Sequence, residues 1–179
     1  MKIAFDLARP LPRRGAAAAA TALALLALPA IVDLPTRLVW NVSASVPIGL
    51  YAVRPTAPLR LGVIAAVMPP EPLASWLVER GYLGRGVPLL KRVEALPGQR
   101  VCREGARVTV SGRLRAIARD IDSRGHPLPQ WGGCIIIGKE QLFLLNADHP
   151  GSLDGRYFGP LERSTVLGRA TPILVRDGR

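Results

Sequence analysis

Val87-Pro88-Leu89-Leu90-Lys91-Arg92-Val93-Glu94-Ala95-Leu96-Pro97-Gly98 reads as one strand closed by a turn. Apolar residues carry Val87 to Ala95. Leu-Pro-Gly then stops the run, because proline cannot donate to a ladder and glycine accepts turn geometry. The same grammar recurs on both sides. Gly49 to Val53 is a short strand ended by Arg54-Pro55, and Gly62 to Met68 is an apolar strand stopped by Pro69-Pro70. Val101 and Arg107 to Val110 are further strands, with a turn at Ser111-Gly112. Cys134 to Ile137 and Gln141 to Leu145 are expected to form a hairpin around Gly138-Lys139, and Ser164 to Val175 supplies a last strand. Pro72 to Leu83 reads as a helix, with Pro72 in its first turn and Leu73, Trp76, Leu77 and Arg80 at helical spacing. Residues 34–47 read as a Pro-punctuated linker. Residues 118–133, with Pro127, Pro129, Gly132 and Gly133, read as a loop or inserted arm. Many short strands and few helices predict a mainly β, antiparallel domain.

Outward from this domain, Gly15 to Val32 contains no charged residue. A helix of about 18–20 apolar residues spans the hydrocarbon core of a bilayer. Arg9, Arg13 and Arg14 precede the run, so by the positive-inside rule the N-terminus stays cytoplasmic and the rest is sent outward. Asp33, Arg37 and Trp40 follow, and Trp40 suits a membrane interface. The expected organisation is a cytoplasmic N-terminus over 1–14, a transmembrane anchor over 15–33 and an outward-facing domain over 34–179. A cleaved signal peptide, cut near Ala27 or Ala30, is the competing reading. The length of the run and its short distance to Ser45 favour a retained anchor.

Lys plus Arg is 24 against 13 Asp plus Glu, a formal net charge of +11. The basic residues are scattered, with no basic helix and no aromatic interleaving, so no nucleic-acid partner is expected. Proximity to anionic lipid headgroups fits the charge better. The two cysteines, Cys102 and Cys134, form no CxxC pair, and His126 and His149 lie far apart without ligand spacing. No metal site is expected. GxGxxG and GxxxxGK[ST] are absent, so no nucleotide cofactor is implied.

Lysine is scarce: Lys2, Lys91 and Lys139 are the only ones. Lys91 stands among Leu89, Leu90 and Val93. Burial there disfavours the ammonium form and lowers the pKa, and a neutral lysine can act as a base. A serine hydroxyl needs such a base within hydrogen-bond reach to become a nucleophile. Ser45, in Ser43-Ala44-Ser45-Val46-Pro47-Ile48-Gly49-Leu50-Tyr51, is the candidate. Taken alone, Lys91 reads as a strand-end lysine reaching for water.

Three motifs together change that reading. Ser45-Val46-Pro47-Ile48-Gly49-Leu50-Tyr51 resembles the nucleophile motif of the type I signal peptidase family, in the Ser-x-Pro-x-Gly-Leu-Tyr form of its conjugative-transfer (TraF-type) branch. Lys91-Arg92-Val93 with Leu96-Pro97-Gly98 resembles the general-base motif, and Ser152-Leu153-Asp154-Gly155-Arg156-Tyr157-Phe158-Gly159 resembles the family's Ser-x-Asp-x-Arg-Tyr-Trp/Phe-Gly box. The resemblance implies an antiparallel β-barrel or sheet domain behind one transmembrane helix. It implies Ser45 as nucleophile, Lys91 as general base and Ser43 as an oxyanion-hole hydroxyl beside the Ser45 N–H. It also implies Ser152 as the hydroxyl that orients the lysine, with Asp154 and Arg156 as a supporting ion pair. Gln99 stands where the family often has aspartate, and Gly155 stands where the housekeeping enzymes have serine.

The activity implied is that of a serine endopeptidase without a cofactor, on the periplasmic side of a bacterial inner membrane. Its substrate would be a pro-pilin or other preprotein laid as an extended strand, with small side chains before the cut. Conjugative transfer machinery is the expected partner. Members of this branch mature pilins, and some close the pilin into a ring, so either water or an amine could resolve the acyl-enzyme. A general signal peptidase and a non-enzymatic anchored scaffold are the competing readings. In an oxidising periplasm Cys102 and Cys134 could pair and pin the 118–133 arm, but the sequence leaves the pairing open.

Overall fold

The computed structural model describes residues 13–31, 38–55 and 57–176. The expectations placed on Arg9, Asp33, Arg37 and the start of the linker lie outside the described residues. The chain divides into two compact units, Met1–Pro35 and Thr36–Arg179. In the first, α1 (Arg13–Ile31) covers most of the uncharged run. Its residues 16–24 are exposed. Among the described residues no helix is long and apolar enough to cross a membrane.

The second unit is mainly antiparallel β. Its strands are β1 (Leu38–Asn41), β2 (Ile48–Arg54), β3 (Ile64–Val67), β4 (Leu89–Ala95), β5 (Arg100–Glu104) and β6 (Arg107–Val110). Then follow β7 (Arg113–Ile117), β8 (Gly133–Ile136), β9 (Gln141–Leu144), β10 (Leu161–Glu162) and β11 (Val166–Arg176). Two short helices, α2 (Leu73–Glu79) and α3 (Gly155–Phe158), punctuate them. A seven-stranded sheet has the order β1-β2-β11-β3-β4-β9-β10, and a four-stranded sheet the order β7-β6-β5-β8.

The long last strand holds the large sheet together by pairing with β2 on one side and β3 on the other. At its bulge the backbone approaches so closely that a Cβ on Gly49 would stand 2.1 Å from the Leu174 carbonyl oxygen. Gly49 also has φ +145°, so the glycine of the nucleophile motif is fixed by both space and conformation. One core cluster, with Val46, Tyr51, Val53, Ile64 and Leu90, lies beneath the 43–47 turn. A second joins the sheets, packing Val101, Val108 and Val110 against Ala95, Phe143 and Leu145. Burying these side chains removes apolar surface from water at roughly 25 cal/mol per Å², the main force fixing one sheet on the other.

Several sequence expectations are corrected. The 34–47 segment contains β1, which pairs with β2 from Leu38↔Ala52 to Asn41↔Gly49. The helix from Pro72 stops at Glu79 and not at Leu83. Gly81, at φ +67°, donates to Val78 O while Tyr82 N donates to Leu77 O, the paired bonds of a Schellman stop. Pro72 is its N-cap and not a residue of its first turn. The apolar runs around Gly138-Lys139 do not pair with each other. β8 belongs to the small sheet beside β5, while β9 joins the large sheet beside β4. Residues 118–132 form an arm with one isolated bridge, Ile121↔Pro127, and Gly133, expected to close the arm, opens β8 instead.

Candidate active site

The turn that carries Ser45 connects β1 to β2, and Asn41 builds it. Asn41 Nδ2 donates to the carbonyls of Ser43, Val46 and Pro47 at 2.7, 3.1 and 3.0 Å. Asn41 Oδ1 accepts from Ser43 N and Ser43 Oγ, both at 3.1 Å. One buried amide thus satisfies polar groups across the whole turn, as an Asx side chain can do for local backbone. From below, the Tyr51 hydroxyl donates to Pro47 O at 2.7 Å. Val46 points into the core and Ser45 is left half-buried.

Lys91 reaches the same point from the interior of β4. Its register partner on β3 is Ala65, a small, fully buried residue on the same face. Leu89 and Val93 flank it along that face by the strand's period of two, whereas Leu90 belongs to the opposite face and packs with Val46 and Tyr51. Lys91 is 5% exposed. Its Nζ lies 3.0 Å from Ser152 Oγ and 3.4 Å from Ser45 Oγ, and Ser45 Oγ lies 3.1 Å from Ser43 Oγ. Burial pulls the ammonium down to about 8; the Asp154 carboxylate pushes the other way and the Arg156 guanidinium adds to the lowering.

Asp154 and Arg156 lie beneath, both buried. Arg156 Nε and Nη2 meet Asp154 Oδ1 and Oδ2 at 2.8 and 3.0 Å. Spare valences are filled: Asp154 Oδ2 accepts from Asn146 N, and Arg156 donates to the carbonyls of Asn146, His149 and Pro150. The pair therefore shapes the 146–152 loop that presents Ser152, and a buried pair holds only when its remaining hydrogen bonds are made. Gly155 lets this loop close: a Cβ there would lie 2.7 Å from Leu144 O. The serine of the housekeeping box would not fit.

Asn146 is the second residue that motif reading missed. Its Oδ1 accepts from Arg92 N at 3.0 Å and its Nδ2 donates to Leu90 O at 3.3 Å. These two backbone groups bracket Lys91, so Asn146 continues the β4–β9 ladder with a side chain and fixes the lysine's stem. The signal for Asn41 was a short polar residue two before Ser43, suited to an Asx turn; Asn146 had no local signal.

Two cavities flank Ser45. One of about 480 Å³ runs between the end of β1 and the start of β4, past Leu77, Tyr82 and Leu83, and holds Ser43, Ser45, Lys91 and Ser152 in its wall. The other, of about 280 Å³, lies on the Pro47 side with Arg92, Asn146, Asp148 and His149. Cys102 and Cys134 are register partners on β5 and β8 and are joined by a disulfide, away from these cavities. The arm is also tied at Tyr82, whose hydroxyl donates to Asp122, and at Arg103, which donates to Pro129 O and Arg156 O. Gln99 Oε1 accepts from Leu96 N at 2.8 Å, so the Leu-Pro-Gly turn is closed without the family's aspartate.

Residues 13–175 match the family described as signal peptidase, peptidase S26. The chain belongs to this family. It is 33% identical over 144 residues to the plasmid transfer protein TraF of Escherichia coli, covering 75% of this chain and 81% of that one. The conjugal transfer protein TraF of Agrobacterium fabrum is 34% identical over 149 residues, covering 76% and 82%. A signal peptidase I structure from Enterococcus faecalis aligns with 64% of the chain and 98% of its own length, at 21% identity and a TM-score of 0.38. Membership of the signal peptidase family makes the chain a serine peptidase acting on a protein substrate, in a lineage whose curated relatives are named for conjugal transfer.

Proposed function

We propose that this protein is a membrane-anchored serine endopeptidase in which neutral Lys91 activates Ser45, and that it matures the pilin precursor of a conjugation system. The observation that carries the reading is the buried Lys91 Nζ within 3.4 Å of Ser45 Oγ and 3.0 Å of Ser152 Oγ. Ser152 accepts from Nζ and aims the amine's lone pair toward Ser45. The neighbouring acid, Asp154, has both carboxylate oxygens engaged by Arg156.

In the proposed reaction, Lys91 takes the Ser45 proton as Oγ attacks the scissile carbonyl. The Ser45 N–H makes no hydrogen bond among the described residues and is available to the oxyanion. The Ser43 hydroxyl joins it by turning from Asn41 Oδ1. The C–N bond breaks, Lys91 returns its proton to the leaving amine, and an acyl-enzyme remains. Water or an amine then resolves it, with neutral Lys91 again taking the attacking group's proton. The apolar 480 Å³ cavity suits the small side chains expected before the cut.

The conjugal-transfer names of the relatives favour a pilin over a general preprotein. The uncharged run from Gly15 to Val32 favours an inner-membrane anchor, with the catalytic domain in the periplasm. Trp40, 60% exposed on β1, suits the interface. The test is pilin processing followed by mass spectrometry. Ser45→Ala and Lys91→Ala are each expected to leave the precursor uncut while remaining folded and membrane-bound. A product lighter by one water than the trimmed linear pilin marks ring closure. Normal processing by either variant would reject the Ser-Lys assignment and favour a scaffold.

A further inference from the structure

The two cavities that meet at Ser45 differ in chemistry. The larger is mainly apolar, while the smaller carries the charged side chains of Arg92 and Asp148. Within the smaller, Asn146 is committed to the backbone on either side of Lys91, and Arg92 Nη1 donates to Gly62 O. Asp148 is different. It is exposed and makes no ion pair among the described residues. Asp148 lies within electrostatic reach of Arg115, and it is the one carboxylate in the cavity wall that also holds Ser45, so it is the group there able to receive a cation.

We propose that the smaller cavity is an amine subsite, in which Asp148 holds the nitrogen that leaves during acylation and the amine that enters when the acyl-enzyme is resolved by peptide-bond formation. The inference rests on the Ser45–Lys91 reading and deepens it. Once Oγ has attacked, the acyl half and the amine half of a substrate lie on opposite sides of the new C–O bond. The apolar cavity takes the acyl half and the charged cavity the nitrogen.

The ligand class is a primary alkylamine, such as a peptide N-terminus, which arrives largely as ammonium near neutral pH. It loses one proton to solvent. Its lone pair then attacks the Ser45 ester, the C–N bond forms, and the nitrogen carries positive charge until neutral Lys91 removes a second proton. Lys91 hands that proton to Ser45 Oγ as the C–O bond breaks. Asp148 stabilises the charged nitrogen of the intermediate more than the neutral amine, so it favours amines over uncharged nucleophiles.

The test uses the full-length protein in detergent and an N-acetylated alanyl p-nitrophenyl ester as acyl donor. Glycinamide serves as the cationic acceptor and glycolamide as its neutral counterpart, with products counted by mass spectrometry. The readout is the ratio of each adduct to hydrolysed acid, taken within one acyl-enzyme pool so that changes in acylation rate cancel. Asp148→Asn is expected to lower the glycinamide ratio about five- to tenfold and to leave the glycolamide ratio within twofold. Added salt should erode the wild-type preference for glycinamide and leave the variant's ratio flat. An unchanged glycinamide ratio, an equal fall for both acceptors, or no adduct from wild type would overturn the inference. A p-nitrophenol burst that survives Ser45→Ala would instead defeat the Ser-Lys reading, and the subsite would fall with it.

Discussion

The two sides of the site are built on opposite principles. Ser45 stands on a short turn, half-exposed, where one amide, Asn41, gathers three carbonyls and a hydroxyl. Lys91 stands inside a sheet, 5% exposed, above an ion pair whose members are both buried. On the proposed Ser-Lys reading, Ser45 must meet an extended peptide, so its surroundings are open and its hydrogen bonds local. On the same reading Lys91 must be neutral to act, and its surroundings exclude the water that would stabilise an ammonium. Charge-related changes should therefore act through the lysine side, and turn-related changes through the serine side.

The largest effect is expected where a buried charge loses its partner. Arg156→Met strands Asp154 and unties three loop carbonyls. Breaking such a pair costs about 3–5 kcal/mol, which urea denaturation would read as a lower midpoint. The same change removes a group that lowers the Lys91 pKa and leaves Asp154, which raises it. The acid limb of the pH–rate profile should therefore move to higher pH in any surviving folded fraction. A limb that stays in place would separate the ion pair from the lysine and break the comparison.

Lys91→Met should have the opposite sign on stability. The wild-type lysine titrates near 8 when folded, against its ordinary value of 10.5. Below pH 8 both states hold the proton, and the folded state bears the full penalty of a buried ammonium, on the order of 3 kcal/mol. Between about pH 8 and 10.5 the unfolded chain binds more protons, so wild-type stability rises with pH. The methionine variant is expected to be the more stable at pH 7, to lose that margin as pH approaches 10.5, and to be inactive throughout. Paired urea titrations at pH 7 and pH 10 check this; a margin independent of pH would mean that packing, and not charge, sets it. On the kinetic side, wild-type kcat/KM should climb with pH along a limb near 8, because only the neutral lysine takes the serine proton. A limb near 6.5 would point to a histidine instead.

Much of this contrast was legible in the chain. Ser45, Lys91 and Ser152 are named by short motifs, and the structure brings Lys91 within hydrogen-bond reach of both serines. The strands were legible because prolines and glycines bound them. Their partners were not. Apolar runs around Gly138-Lys139 look alike whether they pair or diverge into two sheets, and only long-range register, such as Cys102↔Cys134, decides. The helix after Pro72 looked longer because its apolar spacing continues to Leu83, while one left-handed glycine ends it earlier. Asn146 was invisible because its value lies in two backbone groups on β4, far away in sequence. Side-chain chemistry is written locally, whereas backbone satisfaction is a property of the assembled fold.

The smallest stability change, and the sharpest probe of the serine side, is Asn41→Ala. The carbonyls of Ser43, Val46 and Pro47 would lose a donor, but the turn is partly exposed and water can replace some of those bonds. A cost of about 1–2 kcal/mol is expected. The rate should fall much further, by roughly 10²-fold, because the turn sets both Ser45 and the Ser43 hydroxyl. If Asn41 acts through Ser43, the two changes cannot be additive. Asn41→Ala in a Ser43→Ala background should then lower kcat by less than it does alone, with KM little altered. Full additivity would show that Asn41 serves only the turn's stability. The open side of the site would then depend on Tyr51 and Val46 beneath the turn for its geometry.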